Sequence, residues 1–388
     1  VFKEMMMVQT WPVTRLLDPM TTLQNRWYGS LVAQLGADPT TAQMIQPCSP
    51  LAHSDREFWL YPNLLPPVSL TFNTNLSSGD LFLHEYAAIA TAPHFPAVDL
   101  HSDIGESAYA RWQIYLGQQK PPPTPDQLPN LFQAWAAVNA PDVLQIGVAD
   151  LLQLALSADT RRALQPYLGP HAQPADFGTN FIQMLQLLQG TSEVQLAFAS
   201  SSAPDDVTQT WTGGIDTNLS GLWNGYSSTG RLSMHFATSQ VQVTLRAQHF
   251  LVWSATPGPW YCSSLLNNAY ANPGTPPWPA EANPDWHEVC GPTGSMSHMI
   301  ASLLLMDGLH IQTTSDAAYA AIDQRTLRSN TARGLWPFFI PDKTGIASNT
   351  VTFDPSGRMS IDTVTRPGNP LVIGANVLSI ARYLGQPG

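Results

Sequence analysis

Charge is what this chain has least of. Asp, Glu, Lys and Arg together make up 12% of its 388 residues, against about 25% in an average soluble protein. Lysine is scarcest, with Lys3, Lys120 and Lys343 as the whole supply. Neutralising phosphates takes clustered cations. With a net charge of −11, the nearest thing to a basic cluster is Arg325, Arg328 and Arg333, so nucleic acid is not an expected partner. Long apolar runs are missing too. The stretch MIASLLLM at 299–306 falls far short of the about 20 residues a bilayer span needs, and no transmembrane segment is expected.

Cysteine is limited to Cys48, Cys262 and Cys290, too few for a disulfide framework. An odd count leaves at least one thiol free, or bridged to another molecule in an oxidising compartment. The common catalytic signatures are absent as well: no G-x-S-x-G elbow, no P-loop, no G-x-G-x-x-G and no Cys-x-x-Cys. His84-Glu85 and His287-Glu288 each open an H-E-x-x-H pattern that Ala88 and Gly291 break. The sequence names no cofactor. It begins with Val1 rather than Met, which fits either a processed or secreted form that has lost its leader or an incomplete sequence.

What is present is a hydrophobic share of 44%, enough for a sizeable core. In the first half, TTLQNRWYGSLVAQLG (21–36) places Leu23, Trp27, Leu31 and Leu35 at helical spacing and stops at Gly36. Further helices are expected over 80–92, 103–117, 130–140, 141–156 and 176–190, the last capped by Asp176. A proline-rich linker, QQKPPPTPDQLP, occupies 118–129. From about residue 191 the pattern turns to alternation. Strands are expected at 193–202 and 231–255, with a hairpin over 349–363 turning on Asp354-Pro355-Ser356-Gly357 and a strand leading into a short helix over 369–384. Two helices are read between them, at 294–306 and 315–328. The expected fold is α+β: a helical region over 1–190 and a β-rich region over 191–388 carrying those helices.

Two constellations carry residue types suited to chemistry. Asp99, His101 and Asp103 would share one face of an extended segment and there suit a divalent metal. Alternatively, Asp103 simply caps the helix that follows. Cys262, His287 and Asp285 are the types of a thiolate–imidazole–carboxylate nucleophile system. Cys262 and Cys290 are also candidates for a disulfide across the 27 residues between them. The surrounding stretch, 256–290, is dense in proline and tryptophan. Trp260, Tyr261, Trp278 and Trp286 form a stacking platform if exposed and core anchors if buried.

Two functions follow as expectations. The first is a non-enzymatic protein that associates with itself, or with a partner, through sparsely charged Pro/Trp-rich surfaces. The second is a hydrolase, working through a metal at Asp99/His101/Asp103 or through the Cys262/His287 pair.

Overall fold

The computed structural model describes residues 18–67, 71–73, 81–92, 98–203, 221–227, 230–343 and 345–387. Two Asn-x-Ser sequons in the sequence, at Asn75 and Asn218, lie outside them. Helices fill most of the first half: α1 (Pro19–Gln34), α2 (Asp55–Leu60), α3 (Phe82–Ala90), α4 (Leu100–Ile104), α5 (Glu106–Gly117), α6 (Leu128–Asn139), α7 (Leu144–Leu164) and α8 (Phe181–Gln189). The second half adds α9 (Arg231–Ala237), α10 (Ser263–Ala271), α11 (Trp286–Cys290), α12 (Ala321–Ser329) and α13 (Ile380–Tyr383). Strands β1 (Ala42–Gln46), β2 (Thr71–Asn73), β3 (Val194–Ala199), β4 (Val241–Ser254), β5 (His298–Ala318), β6 (Ala347–Phe353), β7 (Arg358–Thr365) and β8 (Leu371–Ser379) form one sheet. The fold is α+β.

The sheet is organised by β5. On one edge it pairs antiparallel with β4 along nearly its whole length. On the other, its first half pairs with β8 and its second half with β7. β8 continues to β1 and β2, while β7 continues to β6; among the described strands only β1 and β2 run parallel. Burial follows this division. Over 302–309 every β5 residue is buried, because both faces are covered there. From His310 onward exposed and buried residues alternate, because one face meets water.

This explains the main departure from the expected elements. The segment 294–306 is not a helix: it enters β5 at His298. A strand buried on both faces shows no alternation, and its run of Met and Leu happens to match helical spacing. The expected 315–328 helix is replaced by strand up to Ala318 and survives only as α12. The opening of the expected 231–255 strand is instead helix α9. Helix α8 begins five residues later than expected, capped by Asn180 through a reciprocal bond with Gln183 rather than by Asp176.

One apolar core runs from Met20 to Ile380. A second, smaller core gathers Ile104, Trp112, Phe132, Trp135 and Leu151 from α4–α7. The proline-rich segment is the turn inside this lobe: Thr124 and Gln127 cap each other ahead of α6. Helix α7 joins the two cores, with Leu151 in the small one and Leu164 in the large one.

Candidate functional site

The Pro/Trp-rich stretch is built around the end of α10. The last four carbonyls of a helix have no partner within it. Here the indole N–H of Trp278 donates to Ala269 O (2.8 Å), and that of Trp286 donates to Tyr270 O (2.9 Å). The tryptophans therefore act as a C-terminal cap, pinning an otherwise proline-broken loop. Trp260 is fully buried, donates to Asp176 O (2.9 Å), and packs edge-on against Phe82 and Phe177. It offers no ring face to a ligand. Tyr261 packs against Phe82 and Tyr86. As a set these four residues anchor the loop, and Trp278 also lines an opening.

That opening is a cavity of about 360 Å³ between α3 and the loop, walled by Ala88, Ile89, Ala92, Pro277, Trp278, Pro279, Pro284 and Val289. Glu85 and Glu281 supply its charge. Their sequence positions, nearly 200 residues apart, gave no sign of a shared site.

The nucleophile constellation is dispersed into local roles. Asp285 caps α11, accepting from Glu288 N at 2.8 Å, with Glu288 returning the bond. His287 is exposed and stands edge-on to Trp286. Cys262 precedes α10, and its backbone N–H donates to Tyr86 Oη (2.9 Å). Among the described residues no hydrogen bond joins Cys262, His287 and Asp285. All three cysteines are free thiols, so the Cys262–Cys290 bridge is not formed. Burial pushes the Cys290 thiol up to about 12 and that of Cys48 higher still. Such groups stay protonated and unreactive at neutral pH.

Asp99, His101 and Asp103 do not lie on an extended strand. Asp99 caps the short helix α4, accepting from Ser102 N at 3.1 Å. His101 bonds Glu106 (2.5 Å) on the next helix. No group of three or more ligand side chains placed to hold a metal occurs among the described residues. What Asp103 and Asp99 do is crowd Asp150 of α7. Burial, then the charge and hydrogen bond of Asp103, then the charge of Asp99, push the Asp150 carboxyl up to about 6.

A third surface is the open face of the sheet. The alternation VQVTLRAQ in β4 puts Val241, Val243, Leu245 and Ala247 inside and Gln242, Thr244, Arg246 and Gln248 outside. Strand register extends this into three rows across five strands. One row runs Gln195–Arg246–His310–Val364–Ser348. The next is Ala197–Thr244–Gln312–Asp362–Thr350, and the third Ala199–Gln242–Thr314–Ser360–Thr352. Arg246 and Asp362 are the only full charges, and each is engaged: Arg246 with Glu193, Asp362 with His310 (3.1 Å). The β3 edge of this face is closed by Gln34 of α1. Its amide N–H donates to Ala197 O (2.8 Å), and its carbonyl accepts from Ala197 N (3.0 Å). A side chain thus occupies the place of a neighbouring strand, which shields the edge from unplanned pairing.

No protein-family model matches the chain, and no curated protein or solved structure matches it either.

Proposed function

We propose that this protein is a non-enzymatic, self-associating protein and that the open face of the sheet is where copies meet. The observation that carries the reading is the neutrality of this face on a molecule of net charge −11. Elsewhere, approach of two copies brings like charges together. On the three rows charges are few and each is engaged, Arg246 by Glu193 and Asp362 by His310, and most other positions are Gln, Thr or Ser. Hydroxyls and carboxamides both donate and accept. Such a face is complementary to itself under two-fold symmetry, where one patch meets its own copy. Desolvating these groups also costs far less than desolvating carboxylates.

The test is native mass by sedimentation across concentration and salt. Association is expected to strengthen as salt screens the repulsion between copies, and to be indifferent to reductant because none of the three cysteines stands on the rows of this face. Gln312→Glu places like charges at the centre of the face and is expected to weaken association at least about tenfold. A monomer under all these conditions, or association untouched by Gln312→Glu, overturns the reading.

A further inference from the structure

The cavity between α3 and the Pro/Trp-rich loop shares no residue with the sheet face, and its chemistry selects a ligand. Its volume of about 360 Å³ falls in the range of small-molecule sites, roughly 300–1,000 Å³. The walls are apolar: Ala88, Ile89, Pro277, Trp278 and Val289 among them. Two carboxylates interrupt them, Glu85 from α3 and Glu281 from the loop, and no Lys, Arg or His is found among the described residues of the lining. Glu85 is partly buried. Its Oε2 accepts from Ser295 Oγ at 2.6 Å, which fixes the carboxylate and leaves Oε1 with no partner among the described residues. Glu281 is exposed at the mouth.

The pocket is also pre-organised. Trp278 and Trp286 are tied to α10 by their indole N–H groups, and Asp285 with Glu288 fixes the start of α11. A wall held in place before binding spares the ligand the cost of ordering it. Trp278 is tied to the electronegative C-terminal end of α10, which adds potential of the same sign as the carboxylates.

We propose that this pocket binds a small organic cation, an ammonium or guanidinium group carried on a compact apolar body. An anion meets two carboxylates and no countercharge. A neutral apolar ligand covers the walls but strips water from Glu85 and Glu281 without replacing it, which is costly. A cation on an apolar body satisfies both, and the aromatic Trp278 in the lining is a favourable neighbour for it.

The experiment is calorimetric titration of the whole chain with three probes of one shape: tryptamine (cation), tryptophol (neutral) and indole-3-acetate (anion). Tryptamine is expected to bind at least about tenfold more tightly than tryptophol, with no binding of the acetate. Glu85→Gln and Glu281→Gln are each expected to lower tryptamine affinity about five- to tenfold while leaving tryptophol unchanged. Ala88→Phe, at an exposed helical position, is expected to fill the pocket and abolish both. Equal binding of cation and neutral isostere overturns the proposal. So does tryptamine binding that ignores both Gln variants, or the absence of tryptamine binding at millimolar concentration. Glu281 and Ala88 are both exposed, and unchanged melting of these two variants separates a lost site from a lost fold.

Discussion

The helical lobe and the sheet body are held together on different length scales. The lobe's core comes from Ile104 to Leu151, so its partners are near neighbours in the chain. Its centre is three rings: Trp112 stands edge-on to Phe132 with centroids 5.0 Å apart, and tilts against Trp135 at 5.3 Å. The body joins residues from opposite ends of the chain. Trp336 Nε1 donates to Gln24 Oε1 across 312 positions, and Gln46 Nε2 donates to Pro337 O across 291. Cooperative unfolding follows contact connectivity. The lobe is therefore expected to open alone, and the body only as a whole.

The largest effects that test this contrast come from its two ring clusters. Phe132→Ala and Trp260→Ala are each expected to cost about 3–5 kcal/mol. Their hydrogen-exchange footprints should differ. Phe132→Ala should strip protection from α4–α6 and spare β4 and β5, whereas Trp260→Ala should lower protection across the sheet. A uniform loss in both variants would erase the distinction.

A smaller effect probes how tightly the lobe is built. Gly147 sits in α7 where an added Cβ would lie 2.3 Å from Phe132 Cε1. Gly147→Ala would ordinarily gain up to about 1 kcal/mol of helix propensity. Here overpacking is expected to win, with a net loss of about 1–2 kcal/mol, seen as faster exchange in α6 and α7 alone. A gain in stability would show that the two helices can move apart freely.

The smallest effect is the pH response of the lobe. Asp150 is raised to about 6 in the fold, above its ordinary value of about 3.9. Between these values the folded state holds more protons than the unfolded one, so stability falls as pH rises. The stabilising contribution is complete below about pH 4 and is lost as pH passes through 6. Asp150→Asn should flatten this window and raise the lobe's stability at pH 7, read from melting curves between pH 4 and 7. An unchanged slope would mean that the Asp103–Asp150 contact carries no linkage.

Elements whose signal is local were legible in the sequence. Helix α1 follows from the four-residue spacing of Leu23, Trp27 and Leu31, all buried. The β6–β7 hairpin follows from its turn, where Asp354 Oδ1 accepts from Ser356 and Arg358 and Gly357 takes φ +83°. The extended reading of Asp99–Asp103 failed because a side chain that can cap a helix does so when the following residues can wind. The first half of strand β5 was illegible because its alternation is erased by cover on both faces. For the candidate sites, β4 displayed its outward Gln242, Thr244 and Arg246, and Trp278 was marked by its setting. Glu85 carried only a broken motif, and Glu281 no signal at all.

By itself the sequence determined the class of the fold, the scarcity and sign of its charge, and those turns, caps and amphipathic faces whose partners lie within a few residues. Tertiary structure alone decided that β5 is a strand, that Trp278 and Trp286 cap α10, that Gln34 closes the β3 edge, and that Glu85 and Glu281 face one cavity. The physical reason is common to all four. Each depends on a group brought alongside from elsewhere in the fold, and the chain can assemble such pairs only after hydrophobic burial has set which segments are neighbours.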